Sequence, residues 1–194
     1  MKTMNLVILA GGKGLRLRPL TNQIPKPMVK INGRPFLEKL ILNFSKYNLK
    51  KIFILTGYKY QKIHSIFDKK VFNGVKIICI REKKIMGTGG ALYTLKRKLH
   101  DGFFLMNGDT FLDIDLNFYY RKINKNRIGH IFLSKKNKNL NDRLSLDKKN
   151  NIIFSKKSSF ISSGLYYFNK KFLKFVKNKP SSLEKDIIPK LIKK

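Results

Sequence analysis

Residues 5–21 read NLVILAGGKGLRLRPLT, and this stretch decides the fold. Its first six residues form an apolar run with the length of a buried strand, and glycines follow the run directly. Similar apolar runs recur along the chain, at residues 52–56, 75–80, 103–106 and 130–133. Helical spacing of apolar residues lies between several of them, at residues 35–48, 90–99 and 116–123.

This alternation of strands and helices predicts an α/β, Rossmann-like fold, a mixed and mostly parallel sheet flanked by helices. After about Ser134 a charged loop begins, and short strands are expected at residues 143–147, 151–155 and 162–168. The end of the chain, residues 181–193, predicts a helix that Pro189 interrupts. No repeat and no long linker divides the sequence, so we expect one domain over residues 1–194 with halves that meet near residue 115.

The composition narrows the class of protein. The 194 residues include 43 Lys and Arg against 11 Asp and Glu, a net charge of +32, yet 42% hydrophobic residues exclude a disordered polycation. The single cysteine, Cys79, excludes a disulfide framework and a zinc site built of cysteines. No apolar run approaches the roughly 20 residues of a membrane helix. We therefore expect a cytoplasmic protein with no membrane partner.

The glycine-rich loop after the first strand is a candidate phosphate site. Three glycines in residues 11–14 allow backbone N–H groups to approach an anion, and Arg16, Arg18 and Lys26 add positive charge nearby. The spacing is neither that of a Walker A loop nor that of the dinucleotide motif G-x-G-x-x-G. On the glycines alone, a phosphate loop and an ordinary strand-to-loop turn are equally open.

Two later segments carry further candidate chemistry. Residues 86–92 (MGTGGAL) are small enough for a flat base to lie against the backbone, although Thr88 could equally be the N-cap of a helix. Asp109 follows the apolar run 103–106, at a strand end where open α/β sheets hold ligands, although such an Asp is also common in turns. Asp115 is expected to cap the helix that starts at Leu116.

The complete string resembles the signature of the sugar-1-phosphate nucleotidylyltransferases, L-A-G-G-x-G-T-R-L-x-P-L-T followed by P-K-P. Thirteen specified positions match within residues 9–27, and Leu15 replaces the threonine of the family. Residues 86–92 are similar to the family's L-G-T-A/G-G-A-L/I turn, which lies against the nucleobase. The resemblance therefore implies a set of nucleotide-binding residues: Leu9, Ala10, Gly11, Gly12, Gly14, Gly87, Thr88 and Gly89.

The resemblance also implies the catalytic and metal-binding residues. Arg16 and Lys26 match the residues that contact the reacting phosphates, and Asp109 matches an aspartate that binds Mg²⁺. The implied sugar-phosphate residues are Asn107, Lys157, Ser162 and Gly164. Lys156 stands where the family has glutamate, and Ser162 stands where it has asparagine.

Residues 107–115 (NGDTFLDID) and 182–186 (SLEKD) resemble the heptose-1-phosphate guanylyltransferases within this family. This branch implies GTP and D-glycero-D-manno-heptose 1-phosphate as substrates. Mannose 1-phosphate with GTP, and glucose 1-phosphate with TTP or UTP, remain alternatives. Glu184 is expected to be a helix-start or capping-box residue. The family's later D-I-G motif, which carries a second metal-binding aspartate, is absent, so we expect either a truncated chain or an incomplete metal site.

The implied reaction joins an NTP and a sugar 1-phosphate to give an NDP-sugar and pyrophosphate. The half before residue 115 would bind the nucleotide, and the half after it would bind the sugar phosphate. The high positive charge leaves a nucleic-acid-binding protein as an alternative, although no RNP, zinc-finger or basic-zipper pattern supports specific binding to nucleic acid. An inactive nucleotide-binding homologue is a third alternative. A homo-oligomer remains possible.

Overall fold

The computed structural model describes residues 4–135, 144–155 and 160–192. Its strands are β1 Met4–Ala10, β2 Lys30–Ile31, β3 Arg34–Pro35, β4 Leu49–Thr56, β5 Val71–Phe72, β6 Val75–Arg81, β7 Phe103–Asn107, β8 Gly129–Lys135, β9 Leu144–Leu146, β10 Ile152–Phe154 and β11 Phe160–Phe168. Its α-helices are α1 Phe36–Ser45, α2 Gln61–Phe67, α3 Gly87–Gly90, α4 Leu116–Lys122 and α5 Ile188–Ile192. Short 3₁₀-helices occupy Leu15–Leu17, Leu20–Asn22, Lys26–Met28, Ala91–Leu95 and Lys170–Phe175, and a π-helix occupies Leu183–Ile187.

Nine of the described strands form one sheet in the order β10-β9-β11-β7-β1-β4-β6-β5, and β8 pairs with β11. The four central strands β7, β1, β4 and β6 are parallel. The antiparallel strands β11 and β5 flank them on either side. The prediction of a mixed sheet flanked by helices is confirmed. Strands from before and after residue 115 share this sheet through the pairing of β7 with β11.

Both faces of the central strands are buried, which explains why their sequences are continuous apolar runs. On one face, Leu6 and Ile8 of β1 pack in a cluster with Leu40 and Phe44 of α1. On the other face, Val7 belongs to a cluster with aromatic residues of β7, β11 and the 3₁₀-helix after β11. No helix in the described parts of the chain is long and apolar enough to cross a membrane.

The structure also departs from several sequence-based element predictions. The helix expected over residues 90–99 is a turn of α3 and a 3₁₀-helix that ends at Leu95. The helix α2 was not predicted, because its seven residues bury only Ile63 and Phe67, which is too short a pattern to stand out. The last helix begins with π-turns directly before Pro189. Proline cannot donate to the residue four before it, and its ring crowds that carbonyl, so a regular α-helix is unfavourable there.

The predicted cap of α4 is confirmed. The side chain of Asp115 accepts hydrogen bonds from the backbone N–H groups of Asn117 (2.8 Å) and Phe118 (3.1 Å). These groups have no acceptor within the first turn of the helix, so the carboxylate satisfies donors that only water would otherwise reach.

We therefore expect Asp115→Ala to lower the free energy of unfolding by about 1 kcal/mol, the usual loss for an N-cap. Urea denaturation measures the change. Asp113→Ala is the matched control, because it removes an exposed carboxylate from the same loop and leaves the cap in place. An equal loss in both variants would show that the cap contributes nothing beyond its charge.

Candidate active site

A cleft of about 790 Å³ opens at the carboxyl ends of the parallel strands, where the chain leaves β1, β4, β6 and β7. This is the edge at which open α/β sheets hold their ligands. The cleft brings together most of the residues that the sequence nominated, and its lining includes Leu9, Ala10, Gly11, Gly12, Gly14, Arg16, Lys26, Gly87, Thr88, Asn107 and Asp109.

The loop after β1 turns sharply at Gly14. This residue has a φ of 62°, and its carbonyl accepts hydrogen bonds from the N–H of Leu17 (3.0 Å) and the hydroxyl of Thr21 (2.9 Å). A Cβ atom at this position would lie 2.9 Å from the Cβ of Lys26. Glycine is therefore required twice, by the left-handed backbone and by the close approach of Lys26.

Two lining residues of the cleft form an ion pair. The Nζ atom of Lys26 lies 2.6 Å from Oδ2 of Asp109, and the two side chains are 33% and 39% exposed. Lys26 stands at the start of the 3₁₀-helix Lys26–Met28, and Asp109 comes two residues after β7. Lys26, which the family resemblance assigns to the reacting phosphates, therefore directly contacts Asp109, which it assigns to Mg²⁺.

The charges around the cleft favour a polyanion. Two acidic side chains, Glu82 and Asp109, are outnumbered by basic ones, which are Lys13, Arg16, Lys26, Arg81, Lys83 and Lys84. Residues of the glycine-rich loop also line the cleft. A concave wall with this excess of positive charge raises the local concentration of anionic ligands.

Sequence reasoning missed Glu82, which lines the cleft between the glycine-rich loop and residues 86–90. Its Oε2 accepts from the N–H of Met86 (3.2 Å), and a Cβ atom on Gly11 would overlap its Oε1. Burial raises the pKa of this carboxyl, against the smaller effect of the Met86 hydrogen bond. Glu82 directly follows β6, so the strand-end rule that selected Asp109 could also have selected it.

Two tyrosines in the segment after β4, Tyr58 and Tyr60, hold neighbouring parts of the cleft in place. The hydroxyl of Tyr58 donates to the carbonyls of Thr21 (3.1 Å) and Asn22 (3.2 Å), which holds the segment after the glycine-rich loop. The guanidinium of Arg81 lies 4.0 Å from the ring centroid of Tyr60 and donates to its hydroxyl (2.9 Å). Arg81 is thereby fixed beside the cleft.

Other nominated residues lie outside the lining of the cleft. Gly89 is buried behind it and donates its N–H to the carbonyl of Ser181 (2.9 Å). Ser162 and Gly164 lie on β11, where a Cβ on Gly164 would come within 3.0 Å of the side-chain nitrogen of Asn107. Lys157 and its neighbour Lys156 lie outside the described residues.

Two capping predictions need correction. Met86, and not Thr88, takes the N-cap position of α3, because Thr88 is already inside the helix and bonds to Glu184. Glu184 does lie in the first turn of the last helix, but the reciprocal capping partner of Ser182 is Asp186, which accepts from the Ser182 N–H (2.7 Å). The side chain of Glu184 is turned to Thr88 instead.

The side chains of the cleft can hold Mg²⁺ only if oxygen atoms of the substrates complete its coordination shell. Within residues 4–135, 144–155 and 160–192, no cluster of three or more His, Cys, Asp or Glu could hold a metal ion. Asp109 supplies one carboxylate to the lining of the cleft. Mg²⁺ is commonly held by one or two carboxylates together with substrate phosphates and water, so this single group is sufficient on the protein side.

Comparison with known proteins assigns the chain to a family. Residues 5–142 match the family described as Nucleotidyl transferase. The chain belongs to this family. It is 36% identical over 175 residues to D-glycero-alpha-D-manno-heptose 1-phosphate guanylyltransferase of Campylobacter jejuni, which covers 86% of this chain and 76% of that protein. It is also 34% identical over 179 residues to the bifunctional protein GlmU of Methanocaldococcus jannaschii, over 89% of this chain and 42% of that protein.

The fold of this nucleotidyl transferase is similar to solved structures. The crystal structure of HddC from Yersinia pseudotuberculosis superposes with a TM-score of 0.78 at 29% identity, over 97% of this chain and 86% of that one. The same figures hold for HddC complexed with GMP-PN. These matches agree with the resemblance that residues 9–27 and 107–115 indicated.

The half-buried Glu82 gives the stability of this transferase a pH dependence. Its pKa is raised above the ordinary value of 4.5, so the folded chain binds this proton more tightly than the unfolded chain. The stability that the protonated group contributes is present below pH 4.5 and is lost as the pH rises through the raised pKa. We expect Glu82→Gln to become progressively more stable relative to the wild type from pH 4.5 upward, as measured by urea denaturation. A stability difference that does not change with pH would contradict this.

Proposed function

We propose that this protein transfers a guanylyl group from GTP to a heptose 1-phosphate, in particular D-glycero-D-manno-heptose 1-phosphate, and releases pyrophosphate. The observation that carries the proposal is the cleft itself. It joins a glycine-rich loop, Arg16 and the pair of Lys26 and Asp109 at one edge of the sheet. The names of two similar proteins, the heptose 1-phosphate guanylyltransferase and HddC in complex with GMP-PN, support the choice of substrates.

The chemistry requires positioning and charge neutralisation, with no protein nucleophile. An oxygen of the sugar phosphate attacks the α-phosphorus in line, a new P–O bond forms, and the bond to pyrophosphate breaks with its electron pair on the leaving group. The attacking phosphate is already ionised, so no general base is needed. The barrier comes from bringing anions together, and fixed positive groups lower it.

The residues of the cleft have distinct parts in this step. Backbone N–H groups of Gly11, Gly12 and Gly14 hold the triphosphate, and Arg16 neutralises charge on the reacting phosphates. Lys26 has three N–H donors, so it can keep Asp109 and still donate to a phosphate oxygen. Asp109 is the residue that would hold Mg²⁺, which supplies further neutralisation of the phosphates when bound.

The proposal includes a binding site for the guanine base of GTP. A guanine base presents two neighbouring N–H donors on its Watson–Crick edge, and the carboxylate of Glu82 can accept from both. Gly87 and Thr88 lie next to Glu82 in the lining and would contact the base.

We place the enzyme in the cytoplasm, where nucleoside triphosphates are available. Residues 1–115 would bind the nucleotide, and residues 116–194 would bind the sugar phosphate.

A substrate panel tests the proposal. We expect pyrophosphate release with Mg²⁺, GTP and the heptose 1-phosphate at a kcat/KM at least about tenfold above other pairs, since each 1.4 kcal/mol of discrimination is tenfold. Preference for mannose 1-phosphate, or for glucose 1-phosphate with TTP or UTP, would replace the heptose assignment. Binding of nucleotide without pyrophosphate release would favour an inactive homologue. Salt-sensitive binding of random RNA without transfer would favour a nucleic-acid-binding protein.

Arg16→Ala should lower kcat by about 100-fold or more, because one electrostatic donor at a developing charge is lost. The readout is pyrophosphate release at saturating substrates. Arg121→Ala is the matched control, since it removes the same charge from an exposed position on α4 and should leave kcat within about twofold. An Arg16→Ala enzyme as active as the control would remove Arg16 from the mechanism.

A further inference from the structure

The chain near its carboxyl end clamps the loop that lines the nucleotide side of the cleft. The carbonyl of Ser181 accepts from the N–H groups of Gly89 (2.9 Å) and Gly90 (3.3 Å), and its own N–H donates to the carbonyl of Met86 (2.9 Å). A Cβ atom on Gly87 would lie 2.5 Å from the Ser181 carbonyl. Gly87 is therefore required by the contact with Ser181, and Gly90 by a similar approach of the Lys179 carbonyl, 2.5 Å from where its Cβ would lie.

Glu184 extends this clamp to Thr88, a residue of the cleft lining. Thr88 accepts from the N–H of Leu183 (2.9 Å) and donates its hydroxyl to Oε2 of Glu184 (3.0 Å). The hydroxyl of Ser182 also donates to Oε2 (3.1 Å). Thr88 belongs to the lining of the cleft. The position of a residue that lines the cleft is thus set by the carboxylate of Glu184.

The second oxygen of the same carboxylate reaches β11. Oε1 of Glu184 accepts from the hydroxyl of Tyr166 (3.3 Å), which in turn accepts from the hydroxyl of Ser162 (2.9 Å). Ser162 Oγ accepts from the N–H of Gly164 (3.2 Å). The pairing of β11 with β8 shifts register between Ser162 and Tyr166, so these bonds hold a backbone bulge.

The bulge lies against the end of β7 and the residues that follow it. A Cβ atom on Gly164 would come within 3.0 Å of both the side-chain nitrogen of Asn107 and the hydroxyl oxygen of Thr110. Asn107 lines the cleft, and Thr110 directly follows Asp109. The hydrogen bonds therefore run without interruption from Thr88, through Glu184, Tyr166 and Ser162, to the backbone beside Asn107.

The local helix has no need of Glu184. Asp186 provides the reciprocal cap at Ser182, and Ser182 provides the N-cap by accepting from the N–H of Lys185 (3.1 Å). Glu184 lies in the π-helix Leu183–Ile187, a rare conformation that is frequent at functional sites. Besides its bond to the N-cap Ser182, Glu184 bonds to two other elements, through Thr88 of α3 and Tyr166 of β11.

We propose that Glu184 is a positioning residue for the transfer reaction: it fixes the nucleotide loop at Thr88 and the β11 bulge at Ser162 relative to one another. The proposal rests on the proposed function. In-line attack requires the two phosphates to be aligned closely, and a misplacement of about 1 Å can cost about 100-fold in rate. One carboxylate that bonds to both Thr88 and Tyr166 sets this alignment without contact to either substrate.

Three variants separate the two arms of the network. Glu184→Gln converts one acceptor oxygen into a donor and disturbs both arms. Tyr166→Phe removes only the hydroxyl that joins Glu184 to Ser162. Thr88→Val removes the nucleotide-side bond, and Thr88→Ser retains its hydroxyl. Tyr167→Phe is the matched control, because Tyr167 packs in the cluster on the opposite face of the same strand.

The readouts are pyrophosphate release with GTP and the heptose 1-phosphate, and calorimetric titration with GMP-PN. Glu184→Gln should lower kcat by about 10- to 100-fold. Tyr166→Phe should raise the KM for the sugar phosphate and leave the affinity for GMP-PN within about twofold, whereas Thr88→Val should weaken GMP-PN and Thr88→Ser should restore it. Tyr167→Phe should match the wild type in all three quantities.

The outcomes distinguish this inference from the proposed function. An active wild type together with an unchanged Glu184→Gln enzyme would overturn the role of Glu184 and leave the transfer reaction in place. If Glu184→Gln does not fold, equal effects of Tyr166→Phe and Tyr167→Phe would overturn it as well. A wild type that neither binds GMP-PN nor releases pyrophosphate would refute the proposed function, and the role of Glu184 with it.

Discussion

The ion pair between Lys26 and Asp109 is the interaction on which the cleft depends. It joins two positions 83 residues apart, at 2.6 Å, across the carboxyl ends of neighbouring parallel strands. The glycine-rich loop is built around one partner, because Gly14 has no room for a side chain beside Lys26. The strand β7 delivers the other partner. Because both side chains are about a third or more exposed, the pair adds little to the free energy of unfolding. Its contribution is to hold one positive and one negative charge at fixed positions in the cleft.

A parallel sheet allows segments that lie far apart in the sequence to build one site. Strand ends that are far apart in the chain meet at one edge, so short segments after β1, β6 and β7 supply the loop, Glu82 and Asp109 to one cleft. The antiparallel strand β11 pairs with β7 beside this cleft. Glu184 links the lining residue Thr88 to β11 through the hydroxyl groups of Thr88 and Tyr166. Preorganised groups of this kind need no rearrangement when charge develops in the reaction.

Local patterns could be predicted from the sequence, and contacts between distant segments could not. The apolar run of β1, its glycine-rich loop and the Asp115 cap depend on neighbouring residues, and all three are found in the structure. The bond between Thr88 and Glu184 spans 96 residues, and no spacing rule places the two together. The capping-box interpretation of Glu184 failed because Asp186 offers a second carboxylate two residues later. The shift of register in β11 likewise depends on tertiary contacts around Ser162.

The central claim is that the protein aligns two phosphates for one direct displacement and forms no covalent bond itself. The stereochemical course at the α-phosphorus tests this claim most directly. The substrate for this test is a GTP in which sulfur replaces one oxygen on the α-phosphorus, so that this phosphorus is a chiral centre. One in-line displacement inverts the configuration in the NDP-sugar product. Retention of configuration would contradict the account, because it requires two displacements and a nucleotidyl group held on the protein in between.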